Sequence, residues 1–232
     1  MKNRFAVIGL GRFGMTIAKT LAEQGAEVLA IDADEDRIES ISDEVAYAIA
    51  FDATDKKKLE AQNIHEVDGA VVAIGENFEA VLLCAVNLQE LKVKRLIVRS
   101  ASSQQSLILK KLGIKEVLSP EDEVGIAVAQ KLLNPDIITA LSLPDQYEIA
   151  EVHAPEGIWN TNIAEIKLRE KYSLNLITIK RSFKEMEKEG EIVENDHTIG
   201  VPTGDTTIFK NDVLLIMGKA SDIERFLEVN HW

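Results

Sequence analysis

The hexapeptide Gly9-Leu10-Gly11-Arg12-Phe13-Gly14 constrains this chain more than any other feature. It follows an apolar run at residues 4–8 and opens a helical pattern over 12–24. In that setting each glycine has its own task. Gly9 permits a tight turn, Gly11 lets the backbone approach a phosphate, and Gly14 lets the helix pack close to the sheet. Backbone N–H groups at the helix start are then free to hold phosphates. Asp32 closes the next apolar run, 27–31, where a dinucleotide fold places the carboxylate that accepts hydrogen bonds from ribose hydroxyls. A carboxylate there repels a 2′-phosphate, which favours NAD or an adenine nucleotide over NADP. The plain alternative for Asp32 is a solvated strand end.

The rest of the first 134 residues repeats the same alternation. Apolar runs at 47–51, 70–74, 95–99 and 116–118 alternate with helical patterns at 35–42, 56–62, 78–91, 104–112 and 122–133. Strands alternating with helices of this length predict βαβ units and a parallel sheet. The strands are apolar on both faces, as expected when helices cover both sides. The pattern changes after Asn134-Pro135. A stretch at 147–154, an amphipathic segment at 163–171, strands at 175–179 and 213–217, and a closing helix at 221–229 predict a smaller α+β unit. The charged segment 182–196 reads as a solvated hairpin or loop. The expected architecture is therefore α/β, a Rossmann-like doubly wound parallel sheet over 1–134, with an α+β subdomain over 135–232.

Ligands bind at the carboxyl ends of strands in open parallel sheets. That rule adds Asp52-Ala53-Thr54 after the third strand and Ala73-Ile74-Gly75-Glu76 after the fourth. Asp52 can accept a bond from an adenine amino group or, equally, cap a helix, a job for which Thr54 and Asp55 compete. Arg12, inside the glycine loop beside Phe13, can meet a terminal phosphate or a neighbouring subunit. Arg99 closes the fifth strand and either adds a second positive charge or is an exposed strand end. Hydride transfer needs a proton donor or acceptor beside the substrate. The four histidines show no catalytic or metal spacing, and no Tyr-x-x-x-Lys, GxSxG, HExxH or Walker A sequence occurs. A nucleotide site without catalytic machinery points to sensing, not to an enzyme. The competing readings are an NAD-dependent oxidoreductase, an NAD-sensing regulator and a scaffold with a structural nucleotide.

A net charge of −13 disfavours nucleic acid and anionic lipid as partners. Cys84 is the sole cysteine, so no disulfide framework or CxxC site exists. No apolar run approaches the roughly 18–20 residues of a membrane helix, and the amino terminus makes a poor signal peptide. The expected location is cytoplasmic.

Residues 5–14, Ala73–Gly75, Ser119-Pro120-Glu121 with Gly125, Leu168–Tyr172, 177–181 and Leu215–Gly218 resemble the RCK (regulator of K⁺ conductance) domains of potassium uptake systems. The likeness covers nearly the whole chain. It implies a cytosolic regulatory subunit, peripheral to the membrane, that dimerises and forms an octameric ring under a membrane-embedded potassium-translocating subunit. It implies ATP or ADP in each amino-terminal domain, with Gly9, Gly11 and Gly14 at the phosphates, Asp32 at the ribose and Asp52 by the adenine. Arg12 would meet the terminal phosphate of ATP across the dimer, and Arg99 falls where the family often has lysine. Glu121 falls where some members place a carboxylate on a cation between subunits; it is equally a helix N-terminal acid favoured by the dipole. Some members bind cyclic di-AMP between paired carboxyl-terminal subdomains. In that case Arg169 would face a phosphate, Asn175 a base, and Ile163 the apolar lining. The acidic segment 182–196 departs from most members.

Overall fold

A computed structural model describes residues 3–75, 77–186 and 192–231. The chain divides into two units, Met1–Val124 and Gly125–Trp232.

In the first unit, strands β1 (Arg4–Ile8), β2 (Glu27–Asp32), β3 (Tyr47–Ala50), β4 (Gly69–Val72), β5 (Leu96–Arg99) and β6 (Glu116–Leu118) form a parallel sheet in the order β3-β2-β1-β4-β5-β6. Helices α1 (Arg12–Glu23), α2 (Glu35–Ile41), α3 (Lys56–Ala61), α4 (Phe78–Glu90) and α5 (Ser103–Lys111) connect them. Successive strand residues face opposite ways. Ala6, Ile8, Leu29 and Ile31 pack into one buried cluster with Leu59, Cys84, Leu88 and Leu109. Val7, Val28 and Ala30 pack into the other with Ala18 and Ile41. Helices therefore cover both faces, as the sequence predicts. β2 and β4 lie on either side of β1, so the strand order reverses there. The crevice outside the carboxyl end of that pair is where ligands bind in such sheets.

Three strands are shorter than expected, β3 and β5 by one residue each. β4 ends at Val72, leaving 73–74 to the loop. Gly9 has φ +90°, and a Cβ on it would lie 2.7 Å from the Ile74 nitrogen. The β1 loop and the β4 loop thus touch backbone to backbone. The chain leaves the sheet after Ala73 donates its N–H to the Ile8 carbonyl at 2.7 Å.

Helix α6 (Pro120–Leu133) contains the division between the units, which falls between Val124 and Gly125 where the sequence pattern suggested 134/135. It starts two residues earlier than expected because proline suits the first helical turn. In the second unit, β7 (Ile137–Ser142), β8 (Tyr147–His153), β9 (Asn175–Met186), β10 (Ile192–Thr198) and β11 (Val213–Lys219) form an antiparallel sheet in the order β10-β9-β11-β8-β7. Helices α7 (Ile163–Ile166), α8 (Leu168–Tyr172) and α9 (Ala220–Val229) bury Ile166, Leu168, Tyr172, Ile223 and Phe226 in a core with Leu174, Ile179, Leu214 and Ile216.

Three features depart from the sequence reading here. The stretch 163–171 is two short helices, broken at Lys167, whose φ is +54°. β7 has no counterpart in the expected pattern; as an edge strand with exposed residues it lacks a clear apolar alternation. The strand expected at 175–179 runs on to Met186 and pairs with β10 from Met186↔Ile192 to Lys180↔Thr198. The charged segment is thus the hairpin alternative, with residues 187–191 outside the described part.

Candidate functional site

A cavity of about 740 Å³ opens at the carboxyl ends of the parallel strands. Its floor is the glycine loop. A Cβ on Gly14 would drive into the Gly9 carbonyl, so that glycine is needed for α1 to reach the sheet. A Cβ on Gly11 would meet nothing within 4 Å, because Gly11 faces the open cavity. The amino ends of α2, α3, α4 and α5 are capped by Asp34, Asp55, Asn77 and Ser102 side chains, whereas Gly11 offers α1 none. The first turn of α1 also lacks acidic residues. Its orphan N–H groups and the positive end of its dipole are left to an anion.

Asp32 lines the cavity and is only 9% exposed. One carboxylate oxygen accepts from the Leu10 N–H at 2.5 Å and the other from the Asp34 N–H at 2.9 Å. The residue therefore ties the glycine loop to the end of β2 and places a carboxylate in the cavity wall. Arg37, one turn into α2, also lines the cavity and lies 3.4 Å from the Asp32 carboxylate. Asp52 accepts from the Thr54 N–H at 2.9 Å and its hydroxyl at 2.8 Å. Those two bonds, the backbone one first, hold the Asp52 carboxyl below the usual carboxylate range. Asp55, not Asp52, caps α3.

Of the residues expected in the site, the cavity wall brings together Gly9, Gly11, Asp32, Asp52, Ala53, Thr54, Ala73, Ile74, Gly75 and Arg99. Gly14 supports the loop from beneath. Arg12 is exposed and is not part of the wall. Phe13 is not in the wall either; its ring lies 5.9 Å from the Arg99 guanidinium. Glu76 lies outside the described residues. Arg99 sits beside the β4 loop, with Nη1 2.8 Å from where a Gly75 Cβ would be. Its other terminal nitrogen donates to Glu121 in the first turn of α6. Glu121's own backbone N–H, and then Arg99, hold that carboxyl below its ordinary value.

Sequence reasoning missed Ile8, Ala33 and Phe51 at or just after strand ends, and Arg37, Asn77, Glu79, Ala80 and Leu83. A usable signal existed for the last five, since they lie in or just before the first two turns of helices that follow β2 and β4. In the second unit a smaller cavity of about 250 Å³ contains Ile163 and Arg169, together with Lys167 and Leu176. Asn175 is not in its wall.

The model of the TrkA-N domain matches residues 5–120 and that of the TrkA-C domain matches 148–230. The chain belongs to the TrkA-N/TrkA-C domain family. Among its relatives are the Ktr system potassium uptake proteins C and A of Bacillus subtilis. Each is 32% identical to this chain over 97% of its length and 96% of theirs. The RCK domain of GsuK has the same fold, with a TM-score of 0.64 over the whole of this chain and 48% of that one, at 12% identity. The TrkA-N match takes in the strands of the parallel sheet, and the TrkA-C match takes in the antiparallel sheet apart from β7, which precedes it. The glycine loop and its cavity lie within the TrkA-N part.

Proposed function

We propose that this TrkA-family chain is a nucleotide-sensing regulatory subunit of a membrane potassium transporter, cytoplasmic and held at the membrane by its partner. The observation that carries the reading is the Gly11 cradle: an uncapped helix amino terminus facing an open cavity, with a ribose-type carboxylate at one end and Arg99 at the other. Kinship with the Ktr uptake proteins supports the transport role. No helix among the described residues is long and apolar enough to cross a membrane, which is consistent with a separate translocating subunit.

Among the described residues, the cavity wall includes no histidine, cysteine, tyrosine or lysine. Its Asp52 is held toward the ionised form, which suits binding better than proton donation. Both points favour a sensor over an oxidoreductase. ATP and ADP share adenine, ribose and two phosphates, so only contacts to the third phosphate can distinguish them. A charge-assisted hydrogen bond contributes about 1.5–3 kcal/mol. Moving a two-state element from 1:99 to 99:1 takes about 5.5 kcal/mol. Several linked sites in a ring supply that, which gives assembly a physical purpose. The surface suits assembly. In α6 Val124, Ile126, Val128, Leu132 and Leu133 are all more than half exposed, and α5 exposes Leu107 and Ile108. In this reading those faces meet other copies, first as a dimer and then as an octameric ring, and Arg12 reaches a phosphate in the neighbouring subunit.

Two further ligands belong to the same reading. The cavity with Ile163 and Arg169 would take cyclic di-AMP once a second copy closes it. The described residues contain no group of three acidic, histidine or cysteine side chains that could hold a metal ion. A cation at Glu121 would therefore need donors from another subunit or from the ligand.

The test is thermal shift and calorimetry with ATP, ADP and NADH, with light scattering for mass. ATP and ADP at millimolar concentration should raise the melting point by mass action and change the size distribution differently. No response to any adenosine compound would overturn the nucleotide reading. Turnover of NADH with a carbonyl substrate would replace the sensor with an oxidoreductase.

A further inference from the structure

Arg99 ends β5 and lines the cavity. Its guanidinium is confined between the Phe13 ring and the Gly75 backbone, and its side chain is 20% exposed. Its partner, Glu121, is 61% exposed. The spacing between them is built, not incidental. The Ser100 N–H donates to the Leu118 carbonyl at 2.8 Å, and the Ser100 hydroxyl lies 2.8 Å from that of Ser119 and 2.5 Å from that of Ser106. This hydroxyl cluster joins the residue after Arg99 to the residue before Pro120, so the strand end and the first turn of α6 are held together. Arg99 is thus a cavity-wall cation already paired, through one terminal nitrogen, with an anion of the same chain, while its buried Nε has no partner among the described residues.

We propose that Glu121 is an internal competitor for the ligand's phosphates, and that its hold on Arg99 makes affinity depend on phosphate-chain length. The inference rests on the nucleotide reading above. A ligand too short to reach Arg99 leaves the ion pair intact and gains nothing from it. A chain that reaches Arg99 must displace Glu121 before the guanidinium can bind phosphate. The exchange is feasible because an ion pair with one well-solvated partner is weak in water, whereas a terminal phosphate presents more charge and more acceptor oxygens. Glu121 thereby lowers affinity for the longest chain most, which keeps the site exchangeable. Displacement also frees a carboxylate in the first turn of α6.

The test is calorimetry of the full chain with adenosine, ADP and ATP in EDTA, comparing wild type with Glu121→Gln, Asp122→Asn, Arg99→Met and the Arg99→Met/Glu121→Gln double variant. Glu121→Gln should tighten ATP by about two- to fivefold, the range an exposed ion pair supports. It should tighten ADP less and leave adenosine unchanged. The gain should vanish in the Arg99→Met background. Asp122→Asn removes the same charge one residue along, and should not reproduce the dependence on phosphate number. The proposal is overturned if Glu121→Gln weakens ATP or leaves it unchanged, if all three ligands tighten equally, if Asp122→Asn matches it, or if the gain survives without Arg99. Failure of wild type to bind any of the three ligands would instead sink the nucleotide reading itself.

Discussion

Gly11 and Gly14 lie one helical turn apart and answer to different physics. A side chain at Gly14 must displace the Gly9 carbonyl, so Gly14→Ala should destabilise the fold by about 1–3 kcal/mol, as overpacking does. Gly11 has φ −65°, which any residue adopts, and open space beyond it. Gly11→Ala should therefore change stability by less than about 0.5 kcal/mol yet weaken nucleotide binding. Paired denaturation and calorimetry would separate the two roles; equal stability losses would contradict them. Glu148 offers a second residue-scale test. Burial, and then the charge of Glu224, push its carboxyl above the ordinary 4.5. A raised folded-state value means the native protein binds more protons than the unfolded chain. Its effect on stability is favourable at low pH and is lost as pH rises through that value. Glu148→Gln should then melt higher than wild type at pH 7 and at the same temperature below about pH 4. Cys84 is the opposite of a reactive thiol, since burial pushes it up to about 12. Thiol reagents should leave the native protein unlabelled and modify it only on unfolding.

At the scale of elements, the second unit contains an ion pair whose carboxylate is fully buried. Arg181 of β9 donates twice to Asp212, at 2.7 and 2.8 Å, and Asp212 also accepts the Phe209 N–H at 2.8 Å. Asp212 is 1% exposed. The pair ties β9 to the loop that leads into β11. Removing one partner leaves the other charge uncompensated, so Asp212→Ala should cost about 3 kcal/mol or more. A denaturation midpoint shifted by less than a third of that would show the loop is held by other contacts. The kink at Lys167 has a comparable local origin. Its left-handed backbone ends α7 and starts α8, and that break creates the smaller cavity's rim. No proline can adopt φ +54°, so Lys167→Pro should disrupt both helices, seen as lost far-ultraviolet ellipticity and a lower melting point.

For the molecule as a whole, the proposed assembly is best tested on α6. A helix of 14 residues with none buried does not normally carry this many aliphatic side chains. Leu132 and Leu133 are each 79% exposed. Replacing both with aspartate should leave the single-chain melting transition nearly unchanged while lowering the mass seen by light scattering. An unaltered mass would place the subunit contacts elsewhere. A chain carrying −13 repels itself, so assembly through apolar faces should also strengthen with salt.

Much of this was legible in the residues. The alternation of strands and helices, the glycine loop and Asp32 are local signals. Apolar period and turn chemistry act within a few residues, and a βαβ unit closes them into one arrangement. The edge strands β7 and β10 were harder to read, because an edge needs no continuous apolar face and its pairing is a distant event. What only the tertiary structure decided is which charged group faces which. Asp32 is engaged by the Leu10 amide and Arg99 by a carboxylate 22 residues away. Sequence spacing records such pairs nowhere, since they form only when separate strand ends converge on one crevice.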